Sequence, residues 1–255
     1  MANKTIAVVG KGGVGKTTTC GMIIDYLTKK NDGPVLVVDA DANSNLNEVL
    51  GVDVDVTLGS IREEIAHSEI DGKIPFGMSK ADYAELKFAD ALIEEDDFDM
   101  IVMGRTQGQG CYCFVNGMLK TQIDKYVGNY KYTVIDNEAG LEHISRGTIP
   151  HVDVMLLISD SSRRGIQAVA RINEMIKELK LNPTEVHLIV NRAPDGKLNE
   201  GVLEEIEKHD LPLLGVLPHD NLVYEYDCEG KPTAFVPEDT PIKKALLELM
   251  RKLDL

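Results

Sequence analysis

The sequence predicts an α/β protein built on a doubly wound, mostly parallel sheet flanked by helices. Three features carry this reading: seven short runs of β-branched and aliphatic residues, helical patterns between them, and a glycine-rich loop, Gly10-Lys11-Gly12-Gly13-Val14-Gly15-Lys16-Thr17, directly after the first run. Runs that are apolar throughout are buried on both faces, as in a parallel sheet, and the helical stretches serve as the crossovers that parallel strands need. With 255 residues, 43% apolar and 27% charged, the chain can bury a sizeable core. Disorder as its main state is excluded.

The first strand is Thr5 to Val9 (TIAVV), so the N-terminus reads as a buried strand and not as a cleavable signal. Val35 to Asp39 (VLVVD), Met100 to Met103 (MIVM), Tyr132 to Asp136 (YTVID), Val154 to Ser159 (VMLLIS), Val186 to Asn191 (VHLIVN) and Leu214 to Leu217 (LGVL) follow. The last element, Pro241 to Leu253, sets Ile242, Ala245, Leu246, Leu249, Met250 and Leu253 on one helical face, the stripe of a terminal helix docked on a sheet. No repeat, Pro-rich linker or low-complexity tract divides the chain, so one domain over residues 1–255 is expected. The least patterned stretch, 54–97, reads as an insertion packing on one side. Between Asp90 and Asp99 it carries six acids and no base, the composition of a solvated acidic face.

Lys and Arg total 27 against 42 Asp and Glu, a net charge of -15. Such a field repels a phosphate polyanion and disfavours nucleic acid as a partner. No run approaches the roughly 20 apolar residues of a membrane span, and a cytoplasmic protein is expected. In that setting the four cysteines are reduced thiols, and paired ones suit a metal better than a disulfide.

The glycine-rich loop matches G-x-x-x-x-G-K-[ST] between a strand and a helix. Its glycines let successive backbone N–H groups turn inward, and the helix N-terminus adds its positive dipole end, so phosphate is the expected guest. Gly12, Gly13, Val14, Gly15, Lys16, Thr17 and Thr18 form the expected phosphate cradle, with Lys16 on the terminal phosphates and Thr17 on Mg²⁺. Lys11 is a second lysine in a loop that needs one. It is more useful reaching across to a neighbouring subunit's transferred phosphoryl group, which predicts a homodimer.

This K-G-G-x-G-K-[ST]-T motif resembles the deviant Walker A of the MinD/ParA/nitrogenase-iron-protein ATPases, and the resemblance implies an ATP-hydrolysing nucleotide-sandwich homodimer. Asp39-Ala40-Asp41-Ala42-Asn43 looks like the family's switch I. The resemblance gives Asp41 the polarising of the attacking water and Asp39 a place in the Mg²⁺ shell, roles that carboxylates suit. As bare sequence the segment also reads as a turn with a helix cap. Asp136 matches a Walker B position, and Gly140 would bring the switch II backbone to the γ-phosphate. Asn137 and Glu138 depart from the family's commoner Thr-Pro. Asn191-Arg192 stands where the family places its adenine-recognising Asn, and Pro218-His219-Asp220 resembles its base-flanking loop.

Cys111-Tyr112-Cys113 follows Gly108-Gln109-Gly110 and precedes a helical pattern. Two thiolates underfill the shell of a transition metal, whereas a two-fold axis would supply four, suiting tetrahedral Zn²⁺ or, flattened, Ni²⁺. Cys20 and Cys228 lack such partners and read as structural. The deviant Walker A, a C-x-C before a helix and the segment D-N-E-A-G-L-E-H-I-S-R-G-T together resemble the CooC group of nickel-insertion ATPases, including its AcsF relatives. That resemblance implies Ni²⁺ held at the dimer interface and delivered, with ATP binding and hydrolysis, to apo carbon monoxide dehydrogenase or acetyl-CoA synthase. Glu138, Glu142 and His143 lie in the matching stretch, where His143 reads as a helix-surface residue rather than a ligand. The competing readings are a MinD-like positioning ATPase that binds membranes through its C-terminal helix, an iron–sulfur carrier ATPase, and a ParA-type DNA partner.

Overall fold

The computed structural model describes residues 3–41, 43, 45–67, 72, 74–104, 124–138 and 151–255. One eight-stranded sheet organises them, in the order β3-β4-β2-β5-β1-β6-β7-β8. The strands are β1 (Lys4–Gly10), β2 (Val35–Ala40), β3 (Ile93–Glu94), β4 (Asp99–Val102), β5 (Tyr132–Asn137), β6 (Val154–Asp160), β7 (Glu185–Ala193) and β8 (Leu213–Pro218). All neighbours pair in parallel except β3, which runs antiparallel to β4. The seven runs expected to form strands are the seven parallel ones. Met103 falls just past the end of β4, where its N–H still donates to Asp39 O at 2.8 Å.

The described helices are α1 (Lys16–Lys30), α2 (Leu46–Leu50), α3 (Leu58–His67), α4 (Lys80–Ala89), α5 (Arg163–Glu178), α6 (Glu200–Lys208), α7 (Asn221–Cys228) and α8 (Pro241–Lys252). Side-chain alternation along the strands divides the core in two. Ala7, Val9, Leu36, Val38, Ile135 and Leu157 face α3, α4, α5 and α6. Ile6, Val8, Val35, Val37, Val134 and Leu156 face α1, α2 and α8. Both sheet faces are covered, which is why the middles of the strands read as near-continuous apolar runs.

The stretch 54–97 contributes α3, α4 and β3, and buries Leu58, Ile61, Ile65, Ala84 and Phe88 on the first face. Of the acids from Asp90 to Asp99, Asp90 and Glu94 to Asp97 are exposed, while Asp99, on β4, is half-buried and accepts a hydrogen bond from the Tyr130 hydroxyl. The C-terminal stripe is in the core: Ile242, Leu246, Leu249, Met250 and Leu253 are buried against α1 and the sheet. The face that a membrane-binding helix would offer to lipid is therefore occupied by the protein itself.

A buried ion pair ties α8 to α1. The Lys243 ammonium donates to Asp25 Oδ2, both side chains being 3% exposed, and Lys29 reaches the same oxygen at 2.8 Å. Removing one partner of such a pair leaves a charge without compensation in a dry environment, whereas replacing both with apolar groups removes the problem. Asp25→Leu should cost about 3–5 kcal/mol of stability, and Asp25→Leu/Lys243→Met should recover most of it. Urea midpoints of the single and double variants check this, and a single variant within about 1 kcal/mol of the parent would show that the pair does not hold α8.

Candidate functional site

The seven strands other than β3 run parallel, so their C-terminal ends meet at one edge, where ligands of open α/β sheets bind. The P-loop leaves β1 at Gly10, and a Cβ there would come within 2.3 Å of the Ile158 carbonyl oxygen on β6. Gly15 takes a left-handed φ of 88° and is the residue before the first turn of α1. Helices α4, α5, α6 and α7 have their first N–H groups capped by Ser79, Ser162, Asn199 and Asp220. On α1 no side chain does this, so its N–H groups and dipole end stay available to an anion.

Lys16 is buried within the loop, and its Nζ donates to Lys11 O at 3.3 Å. Burial lowers its pKa, against the pull of Asp136, Asp41 and Glu138. Lys11 stands exposed at the rim.

Two carboxylates lie side by side behind the loop, because Asp39 on β2 and Asp136 on β5 are register partners. Asp39 is 0% exposed and Asp136 1%. Burial pushes Asp39 up to about 6, and both of its oxygens accept backbone N–H groups, from Asp41 at 3.0 Å and Leu46 at 3.1 Å. Asp39 thus braces the 41–46 segment.

Burial, with the neighbouring Asp39 and Asp41, pushes Asp136 up to about 7, against the Thr17 hydroxyl that donates to it and the Lys16 charge. Asp136 Oδ1 is buried with no hydrogen-bond partner among the described residues. The Thr17 hydroxyl and the Asp136 carboxylate, one of whose oxygens has no partner, make an oxygen-only pair that suits a hard cation. Cys20, one turn along α1 from Thr17, is fully buried, and its thiol is pushed well up by burial and by Asp136 and Asp39. That is a structural thiol.

On the other flank β7 grips the loop. Asn191 Nδ2 donates to Val14 O at 3.0 Å, Arg192 Nη1 donates to Gly13 O at 3.0 Å, and the Arg192 N–H donates to Asn191 Oδ1 at 2.8 Å. Arg192 holds φ at 55°, a strained value for a residue with a side chain. Asn191 therefore has a role that the sequence did not suggest, as a clamp on the P-loop. An amide offers two donors and two lone pairs, so one N–H and one lone pair are left over from these contacts.

Beside the clamp is a cavity of about 440 Å³ lined by Asn191, Arg192, Pro218, His219, Val223 and Tyr224, with Thr18 at its mouth. It adjoins a cleft of about 1050 Å³ lined by Gly12, Gly13, Lys16, Thr17, Asp41 and Glu138. The cleft offers N–H groups and a lysine. The cavity offers aromatic and aliphatic walls with a few polar groups, the surroundings a heterocycle needs. Val223 and Tyr224 escaped the sequence reading, since α7 looks like any half-buried helix. Their position right after Pro218-His219-Asp220 is the one available signal.

Cys111, Cys113, Gly140, Glu142 and His143 lie outside the described residues. Among the described residues no group of three or more His, Cys, Asp and Glu could hold a metal ion. None of the described helices is long and apolar enough to cross a membrane.

Comparison with known proteins gives the site its family. Residues 5–233 match the CobQ/CobB/MinD/ParA nucleotide binding domain. The chain is 42% identical over 248 residues, 97% of each chain, to the uncharacterized ATP-binding protein MJ0685 of Methanocaldococcus jannaschii. It is 30% identical over 237 residues, 88% of this chain and 87% of the other, to the carbon monoxide dehydrogenase accessory protein CooC of Rhodospirillum rubrum. The fold matches a ParA family ATPase from Chlorobium tepidum TLS with a TM-score of 0.72, 18% identity and 99% coverage of both chains. With its glycine-rich loop, uncapped helix and paired carboxylates at the sheet edge, the chain belongs to the CobQ/CobB/MinD/ParA nucleotide-binding family of P-loop ATPases.

Proposed function

We propose that this protein is an ATP-dependent metallochaperone that carries Ni²⁺ between two copies of itself and assists nickel insertion into carbon monoxide dehydrogenase or acetyl-CoA synthase. The observation that carries the proposal is the similarity, over 88% of the chain, to a carbon monoxide dehydrogenase accessory protein, together with Cys111-Tyr112-Cys113 in this sequence. Cys111 and Cys113 of each copy supply four thiolates to one cation, and the same set would accept Zn²⁺.

Each part of the nucleotide site has a task in this reading. The backbone of Gly12 to Gly15 and the N–H groups of Lys16, Thr17 and Thr18 cradle the phosphates. Lys16 neutralises the terminal ones, and Lys11, exposed at the rim, reaches the partner's. Thr17 and Asp136 would hold Mg²⁺ with Asp39 behind them, and the ion would supply positive charge to the terminal phosphates. The cavity beside Asn191, Arg192 and Pro218 takes the adenine ring. Asp41 faces the attacking water, and Gly140 brings the switch II backbone to the γ-phosphate.

Hydrolysis then acts as a clamp. While ATP bridges the copies, the 41–46 segment braced on Asp39 and the switch II backbone are held against the γ-phosphate, and the thiolates are held together. Loss of that phosphate loosens both. By linkage, nucleotide changes Ni²⁺ affinity and Ni²⁺ changes nucleotide affinity by the same factor.

Metal analysis of chain purified with an ATP analogue should find about one Ni²⁺ per two chains if a two-fold site is formed. Cys111→Ser/Cys113→Ser should lose it. An unchanged stoichiometry in that variant would reject those ligands.

The carboxylates predict a pH dependence. Asp39 and Asp136 have folded pKa values of about 6 and about 7, raised from the ordinary 3.8. In the unliganded protein their contribution to stability is full below about pH 4 and is lost as pH rises through 6 to 7. Cation binding needs Asp136 ionised, so the affinity for Mg²⁺·ATP should rise about tenfold per pH unit up to roughly pH 7 and level off above. Calorimetric titration across this range checks the slope, which should vanish in Asp136→Asn. A flat profile in the parent protein would contradict the assignment.

A further inference from the structure

Three carboxylates share the field of the Lys16 ammonium: Asp136, Asp41 and Glu138. Their surroundings differ. Asp136 is sealed from solvent and receives the Thr17 hydroxyl. Asp41 uses Oδ1 to accept the Asn43 N–H at 2.8 Å, closing a turn in its own loop. Glu138 is exposed to the cleft and lines it together with Lys16, Thr17 and Asp41.

The backbone under Glu138 is anchored. Asn137, at the end of β5, is 2% exposed, and its amide donates to Val8 O on β1 at 3.2 Å. Successive side chains of a strand point to opposite sides. The residue two beyond a position that meets the P-loop is therefore delivered toward the same cleft.

We propose that Glu138 orients the water that attacks the terminal phosphate of ATP, with Asp41 on the facing wall. This rests on the ATPase reading above. In the step, the water oxygen bonds to the γ-phosphorus as the bond to the β–γ bridging oxygen breaks. The bridging electron pair leaves with ADP, and the water proton passes to a γ-phosphoryl oxygen. Glu138 accepts a hydrogen bond from that water and aims its lone pair along the line of displacement. A water held about 1 Å out of line loses rate by a factor of about 100.

Nucleotide affinity and single-turnover hydrolysis, measured together on the full chain with Mg²⁺ and ATP, test this. Glu138→Ala should lower the hydrolysis rate about 100-fold with ATP affinity kept within about a factor of two. Glu138→Gln retains a carbonyl acceptor and should fall between alanine and the parent, a rescue that a structural role would not give. Losses from Asp41→Asn and Glu138→Ala should combine to less than their product, because both act on one water. Hydrolysis by Glu138→Ala at the parent rate, or a loss of ATP affinity equal to the loss of rate, would overturn the proposal. A parent chain that binds ATP without hydrolysing it would overturn the ATPase reading itself, whereas parental turnover that Glu138→Ala leaves intact overturns only the role of Glu138.

Discussion

Two acids are held shoulder to shoulder in the interior of this protein, and the site is organised around that conflict. Parallel pairing of β2 with β5 puts Asp39 opposite Asp136 at the C-terminal edge of the sheet, where both are cut off from water. Neither ionises easily: burial raises both pKa values, Asp39 and Asp41 raise that of Asp136 further, and fixed donors offset only part of this. Asp39 resolves its side with two backbone N–H groups, and so holds the start of the 41–46 segment. Asp136 is left with the Thr17 hydroxyl and one oxygen without a partner. In the proposed reading that oxygen is kept for a cation that arrives with nucleotide.

The phosphate loop is shaped by the same economy of neighbours. It is wedged between the Ile158 carbonyl, which leaves no room for a Cβ at Gly10, and the Asn191-Arg192 clamp, which fills the space beside Gly15. Strain at Arg192 is tolerated because three hydrogen bonds define that corner. The clamp connects the phosphate loop directly to the strand end that borders the cavity beside Asn191 and Pro218.

Most of the sheet was legible because each parallel strand is apolar on both faces and no solvent-exposed element can imitate that pattern. β3 was not, since two residues amid acids, Ile93 and Glu94, carry no periodicity at all. The helices of 54–97 were hard to see for a related reason: α3 and α4 are short, and their buried residues Ile61, Ile65, Ala84 and Phe88 show only as scattered apolar positions. In the site, Gly10 to Thr17 announces itself, since phosphate chemistry demands glycines and lysine at fixed spacing. Asp39 and Asp136 could be placed at strand ends but not beside one another, because adjacency is a property of strand order. The clamping by Asn191 depends on a contact 177 residues away along the chain, and the place of Tyr224 beside it depends on a cavity shared by residues far apart in sequence. Neither leaves a local trace.

The central claim is that Asp136, its pKa pushed up to about 7 by burial, is largely protonated at pH 6 until a cation and nucleotide draw it into ionisation. Infrared difference spectroscopy at pH 6 reads this directly through the carboxylic-acid carbonyl stretch. The account predicts a protonated-carboxyl band in the unliganded protein that disappears when Mg²⁺ and ATP are added together and whose change is missing in Asp136→Asn. A spectrum in which Asp136 is already ionised at pH 6 without ligand, or in which Mg²⁺ and ATP bind with no loss of that band, would contradict it.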